Sequence, residues 1–298
     1  MKHINSEKRF QMICCAIMIL FAVFCLAPFL LMISASVTDE SALINEGYKF
    51  IPSKFSFAAY QYLWAKRETI GRAYLVTIFV TIVGTLTNVI MTSMFAYPLS
   101  RKDFKARNVI AFFIFFTMLF SGGMTASYII WTQTFHIKNT IWALLLPNYL
   151  MSGMNVLLVR NYYISSIPSE ILEAARMDGA GEMKIYSKIM LPLSKPVIIT
   201  ISVFAGMAYW NDWSNAMYYI SNQRLYSINA YLNNLQNNIK LLTMQSSMTE
   251  GANLQGLQLP TVGARMAIAM IAVLPVLIIF PFIQSQIIKG VVIGGVKG

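Results

Sequence analysis

Charge is what this sequence has least of. Only 12% of its 298 residues are charged, where a soluble domain carries about a quarter, while 57% are hydrophobic and the mean hydropathy is +0.58. That balance excludes an ordinary soluble domain and indicates a chain that crosses a membrane several times. Cysteine is scarce too: Cys14, Cys15 and Cys25 share the first apolar run, too close together to frame an extracellular disulfide fold. The two histidines, His3 and His136, stand apart, and no H-E-x-x-H helix or zinc-spaced cysteine pair accompanies them, so no metal site is expected. A G-x-x-x-x-G-K-[ST] phosphate loop is absent, so the chain is not expected to hydrolyse ATP itself. G-x-S-x-G and S-x-x-K elements are missing as well, which leaves an intramembrane enzyme as a minor alternative with no constellation behind it.

The charge that is present is lopsided, with a net +11. Position along the chain decides between a nucleic-acid face and membrane topology. With a cytoplasmic N-terminus, the inner segments 1–11, 100–108, 160–196 and 289–298 hold 14 Lys and Arg in 67 residues, against 9 in 86 for the outer segments 39–72, 133–139 and 221–265. This is the positive-inside asymmetry, concentrated in Arg101, Lys102, Lys105 and Arg107. No nucleic-acid partner is needed to explain it, and both termini are expected in the cytoplasm.

A spanning helix needs about 20 apolar residues, and six segments qualify: 12–35, 73–99, 109–132, 140–159, 197–220 and 266–288. The expected fold is therefore an all-α polytopic membrane protein in one domain, 1–298, with outer loops at 39–72 and 221–261. The first apolar run, Met12 to Val37, exceeds a signal-peptide core of roughly 7–15 residues, so it is expected to stay attached. Small and hydroxylated residues in 73–99, among them Gly84, Thr77, Asn88 and Ser93, suit close helix packing. Gly122 and Gly123 interrupt the third span and mark a bend or a gate, tolerable where protein or a wet cavity covers the backbone. The outer loop 39–72 is dense in aromatics, which fits an interfacial belt or a partner contact. In 221–261, apolar residues from Leu225 to Leu242 recur at 3/4 spacing and predict an amphipathic helix.

Within 197–220 lies Tyr209-Trp210-Asn211-Asp212-Trp213. Asp212 sits fifteen residues from the start of the span, or about 22 Å at 1.5 Å per residue. A carboxylate at that depth is expected to face the bundle or a wet cavity. Two readings stay open: Trp210, Asn211, Asp212 and Trp213 line a sugar path, or they are an interfacial tryptophan belt with Asp212 tying helices together.

The polar block 168–196, PSEILEAARMDGAGEMKIYSKIMLPLSKP, stands out among the apolar runs. Ser169 is a candidate N-cap for a helix from about Glu170, with Glu170 and Glu173 in the first turn. Asp178-Gly179 offers a stop, and Ile185, Tyr186, Ile189 and Met190 resume a helical spacing before Leu191-Pro192. Periodicity alone leaves this as two amphipathic turns on a solvated loop.

Glu173-Ala174-Ala175, Asp178-Gly179-Ala180, Ile189, Leu191-Pro192 and Pro196 resemble the EAA loop of ABC-importer membrane subunits. Over nearly its whole length the chain is similar to the maltose-type carbohydrate-uptake permeases, in their LplC/YtcP-like branch. The resemblance is carried by Phe120-Ser121-Gly122-Gly123, Asn139-Thr140-Ile141-Trp142-Ala143, Leu158-Val159-Arg160-Asn161, Trp210-Asn211-Asp212, Pro281-Phe282 and Lys289-Gly290-Val291. It implies a bacterial cell-membrane importer of di- or oligosaccharides working by alternating access. Partners implied are a second, non-identical permease, two ATPase subunits that use ATP and Mg, an extracellular sugar-binding lipoprotein and membrane lipid. No cofactor is implied for this chain. Glu173, Ala174, Ala175, Asp178, Gly179, Ala180, Ile189, Leu191 and Pro192 would form the coupling helix that docks on the ATPase. An ABC permease for a non-sugar solute shares the EAA loop and is the alternative.

Overall fold

Backbone amides inside hydrocarbon have no water to bond, so apolar runs of this length must close their hydrogen bonds within themselves, and helices do so. The computed structural model describes residues 2–248 and 262–295. Among these there is no strand, only a single antiparallel bridge between Thr38 and Phe55. In chain order the α-helices are α1 (Lys2–Ser36), α2 (Glu40–Glu46), α3 (Ala58–Ala65), α4 (Arg67–Ser100), α5 (Arg107–Leu119), α6 (Gly123–Ile129), α7 (Trp142–Leu145) and α8 (Gly153–Ser166). They continue as α9 (Ser169–Met177), α10 (Glu182–Ile185), α11 (Leu191–Leu193), α12 (Lys195–Trp210), α13 (Ser214–Tyr219), α14 (Ile228–Met248) and α15 (Val262–Gly295).

Among the described residues, three helical stretches are long and apolar enough to cross a membrane on their own: Lys8–Ser36, Arg67–Ser100 and Val262–Ile279. Two bent pairs qualify if each is one span: Arg107–Leu119 with Gly123–Thr134, turned by 111°, and Glu182–Leu193 with Lys195–Trp210, turned by 81°. The expected spans 12–35, 73–99 and 266–288 fall within α1, α4 and α15. The other three are not single straight helices. Segment 109–132 breaks at Phe120–Gly122, segment 140–159 divides into α7 and α8 around an irregular stretch from Leu146 to Ser152, and segment 197–220 breaks between Trp210 and Ser214. The expected amphipathic helix in 221–261 is α14, while 249–261 lie outside the described residues.

The chain forms two units, one of 1–70 with 234–275, the other of 71–233 with 276–298. In the first, α1 exposes apolar side chains from Phe10 to Ile33 and is buried at its end, where Ser34, Ala35 and Ser36 meet the following loop. The Ser36 hydroxyl pairs with the Tyr60 hydroxyl at 2.9 Å, and the Ser34 hydroxyl donates to the Lys49 carbonyl at 2.6 Å. Glu40, at the start of α2, caps α15: its carboxylate accepts the Val262 amide at 2.8 Å and the Gly263 amide at 3.0 Å. Negative charge is well placed there, because the first amides of a helix have no carbonyl of their own.

The second unit holds two apolar cores. One gathers Ala96, Leu99, Val156, Val159, Tyr163, Leu172, Ile185, Met190 and Ile201 around the EAA block. The other gathers Val80, Leu144, Leu145, Tyr209, Ala216, Tyr219 and Ile220 around the irregular stretch after α7.

Candidate functional site

The EAA block begins one residue earlier than expected. Pro168, not Ser169, occupies the cap position, with φ −60° and ψ 138°, and Ser169 is the first helical residue with no capping bond from its side chain. The proline explains the shift, since its ring fixes φ and its predecessor Ile167 is driven to an extended conformation. Helix α9 ends at Met177 and its exit is a Schellman turn: the Gly179 amide donates to the Arg176 carbonyl at 2.9 Å and the Ala180 amide to the Ala175 carbonyl at 3.0 Å. The turn requires φ +77° at Gly179, where a side chain would be strained. Ala175 and Ala180, the pair that such a turn brings together, both pack on the apolar core.

After Gly181 the chain re-enters a helix that widens to a π turn over Tyr186–Met190 before α11. Pro192 supplies the reason. It has no amide to donate and its ring would crowd the carbonyl four residues back, and the wider turn, in which the Leu191 amide reaches Tyr186, relieves this. Ile185, Tyr186 and Met190 are buried, Ile189 and Leu191 half-buried, and Pro192 exposed. Glu173, Ala174, Asp178 and Gly179 are exposed, joined by Ile171 and by Met177, which is 89% exposed. Residues 171, 174 and 177 share one side of α9 by helical spacing. That is an apolar face turned away from its own core.

Arg176 was not singled out by the sequence, yet it is the hub of the block. Its Nη2 donates to Asp103 Oδ2 at 2.7 Å, its Nε to Glu182 Oε1 at 2.9 Å, and the Tyr97 hydroxyl donates to the other oxygen of Glu182. Arg101 adds an ionic contact to Asp103 at 3.4 Å. The hydrogen bond from Arg176 holds the Asp103 carboxyl below its ordinary range. At Glu182 partial burial works against the charge, but Tyr97 and Arg176 outweigh it and the carboxyl is again lowered. Beside this network lies a cleft of 410 Å³ between the 100–107 segment, the end of α8 and α9. Arg101, Lys102 and Arg107 line it on one side, Glu170 and Glu173 on the other.

The second set of expected residues lies at the end of α12. Trp210 is buried, and Asn211 and Trp213 are exposed. Asp212 is 5% exposed, and its Oδ1 accepts the Ser214 amide at 3.0 Å, the Ser214 hydroxyl at 2.9 Å and the Asn215 amide at 3.2 Å. It is a capping carboxylate for α13. Its neighbours complete a polar staple around the irregular stretch. Asn215 Nδ2 donates to the Pro147 carbonyl at 3.1 Å, the Tyr209 hydroxyl to the Leu145 carbonyl at 2.8 Å, and Asn88 Nδ2 to the Tyr149 carbonyl at 2.6 Å. Asn148, at φ +69°, donates to Asn215 Oδ1 at 3.1 Å. Three carbonyls freed by the break are thus paired by side chains, which is how non-helical backbone survives among apolar helices. Asp212→Asn keeps a capping oxygen and is expected to accumulate and function as the parent does, whereas Asp212→Ala should cost about 1 kcal/mol of stability. Thermal inactivation of the two variants side by side checks this, and an equal loss in both would favour a role for the charge itself.

Gly122 and Gly123 lie at the 111° turn between α5 and α6. Gly123 has φ +79° and both glycines are exposed, with the Gly123 amide bonded to the Ser121 hydroxyl at 3.2 Å. Among the described residues, no group of three or more His, Cys, Asp or Glu is placed to hold a metal ion.

With this geometry in place, the likeness to other proteins is extensive. The chain is 35% identical to the polygalacturonan/rhamnogalacturonan transport system permease protein YtcP of Bacillus subtilis over 98% of its own length and all of the relative's. It is 27% identical to the trehalose/maltose transport system permease protein MalG of Thermococcus litoralis, over 94% of both chains. A solved structure of a bacterial ABC transporter involved in the import of the acidic polysaccharide alginate superposes with a TM-score of 0.78 at 27% identity, covering 94% of this chain and 97% of that one. Residues 89–293, which include the block 168–196, the Asp212 turn and most of α15, match the model of one family throughout. The chain belongs to the family of binding-protein-dependent transport system inner membrane components.

Proposed function

We propose that this chain is one of two unlike permease subunits of an ATP-driven importer for di- or oligosaccharides, with α9 as its coupling helix. The observation that carries the reading is the exposed face of α9. A short helix that buries Leu172 and offers Ile171, Ala174 and Met177 to its surroundings needs a partner to cover them. Alanine at 174 lets that partner approach closely, and Gly179 sets the angle at which α9 leaves it. Six membrane crossings follow if the two bent pairs and the divided segment 140–166 each count as one, with both termini and α9 on the cytoplasmic side. ATP binding closes the partner ATPase dimer, the coupling helices move with it, and the spans open outward to a sugar delivered by a binding lipoprotein. The bend at Gly122 and Gly123 acts as the gate. Asn211 and Trp213, both exposed, are the residues of the Trp-Asn-Asp-Trp element that meet the sugar, while Trp210 and Asp212 hold the turn.

Carbohydrate as the cargo is supported by relatives named for the transport of polygalacturonan/rhamnogalacturonan, melibiose/raffinose/stachyose, arabinooligosaccharides and trehalose/maltose. Purification through a tag on this chain is expected to retain a second permease and an ATPase in a 1:1:2 ratio. Uptake by vesicles of labelled oligogalacturonides, raffinose, arabinotriose and maltose tests the cargo. ATP-dependent uptake of at least one of them supports the reading, and uptake of none, by a complex that hydrolyses ATP with its binding protein, would refute a carbohydrate cargo.

A further inference from the structure

We propose that Arg176 is a positioning residue that locks the coupling helix to the end of α4, so that movement of α9 reaches the spans instead of being absorbed in the turns beside it. The inference rests on reading α9 as the docking helix and adds to that reading the route by which its motion leaves. Helix α9 has nine residues, of which Leu172 alone is buried. It is bounded by Pro168 on one side and by the glycine turn at 179 on the other. Packing through Leu172 and the half-buried Ala175 alone, with a turn at each end, leaves such a helix free to rock. Arg176 removes that freedom, because it stands in the last turn and reaches out in two directions.

One arm goes to Asp103, 73 residues earlier, at 2.7 Å, in the segment that follows α4. The other goes to Glu182 at 2.9 Å, across the glycine turn, and Glu182 passes the contact to the Tyr97 hydroxyl on α4 itself. Tyr97 also packs against Tyr186 with ring centroids 5.5 Å apart, so both halves of the EAA block converge on one residue of a spanning helix. An arginine suits the place and a lysine does not: the planar fork grips Glu182 through both Nε and Nη2 while Nη2 also reaches Asp103, where an ammonium is a single point without that fixed geometry. The side chains are half exposed, at 37% for Arg176, 52% for Asp103 and 53% for Glu182. Ion pairs that wet add little to stability. Their service here is geometric, and losing them should leave the protein assembled.

The test uses the tagged complex in proteoliposomes with its binding protein, in a background where Cys14, Cys15 and Cys25 are replaced. Asn211→Cys reports opening of the spans through maleimide labelling with and without ATP and vanadate, a readout that requires no sugar. Met177→Cys reports docking through cross-linking to the ATPase. With Arg176 intact, both signals are expected. Arg176→Ala is expected to preserve yield, ATP hydrolysis and the cross-link while reducing the ATP-dependent change in labelling about tenfold, within the roughly 5–150-fold range of couplings between sites. Arg176→Lys should fall between the two. Arg176→Ala combined with Asp103→Ala should be no worse than Arg176→Ala alone, since both remove one interaction. An unchanged labelling response in Arg176→Ala, or losses that multiply in the double variant, would overturn the proposal. A chain with Arg176 intact that shows no cross-link would overturn the docking reading itself, and with it the inference.

Discussion

Gly179→Val is expected to leave the complex assembled and hydrolysing ATP while transport per ATP falls at least tenfold, in line with couplings of roughly 5–150-fold. Among the described residues, no heavy atom beyond the chain neighbours lies within 4 Å of where a Cβ at 179 would stand, so the obstacle is not crowding. It is the backbone: φ is +77°, a left-handed conformation that costs an ordinary residue about 1–2 kcal/mol and suits a β-branched one worst. The chain would relax to a right-handed turn, forfeiting the amide bonds from Gly179 to Arg176 and from Ala180 to Ala175. The direction in which α10 leaves would then change, and Glu182 would be carried away from Arg176. Asparagine tolerates the left-handed region better than other residues do, so coupling should rank Gly, Asn, Ala, Val. Measuring sugar moved per ATP hydrolysed across the four checks the order. Normal coupling in the valine variant would remove the turn from the mechanism.

Gly84→Ala should damage the fold, although alanine in a helix interior normally stabilises by about 1 kcal/mol relative to glycine. The sign reverses because a Cβ at 84 would lie 2.5 Å from the Tyr209 ring. That ring is 1% exposed and pinned at its far end by the hydroxyl bond to the Leu145 carbonyl, so it has nowhere to turn. Overpacking of this kind costs about 1–3 kcal/mol, and a buried carbonyl left unpaired costs about 1–3 kcal/mol more. Tyr209→Phe, which loses the hydroxyl alone, should be milder. Tyr209→Leu in the Gly84→Ala background should recover part of the loss by making room. Membrane yield and thermal inactivation of the four proteins report this, and full stability in Gly84→Ala would show that the contact is slack.

Scarcity of charge was enough to indicate helices, because hydrocarbon leaves the backbone few alternatives, and the uninterrupted runs in α1, α4 and α15 were legible for the same reason. The helix, turn and second helix of 168–196 were legible in the residue pattern, and Gly179 is where that pattern puts the turn. The start of α9 was misjudged because a cap is a matter of backbone angle, and Pro168 fixes that angle before Ser169 can act. The break after α7 is marked locally by Pro147-Asn148 and Ser152-Gly153. What makes it tolerable is Asn88, Tyr209 and Asn215, partners some 60 residues away whose reach no local spacing reveals. Asp212 left two readings open, a sugar contact or a tie between helices, and its Oδ1 is taken by amides two and three residues on. Arg176 and Met177 lie inside the motif between its marked positions, and only the folded geometry separates them, one turned to Asp103 and Glu182 and the other outward.

On the proposed reading, α9 is where this chain meets the subunit that hydrolyses ATP. The most direct measurement is cross-linking of Met177→Cys in the cysteine-free complex, scanned against single cysteines on the co-purified ATPase, with Met118→Cys on α5 as a control. The account predicts a cross-link from Met177→Cys that changes in yield when ATP and vanadate are added, and none from Met118→Cys. A complex that assembles and hydrolyses ATP, yet gives no cross-link from Met177→Cys, Ala174→Cys or Ile171→Cys, would contradict it.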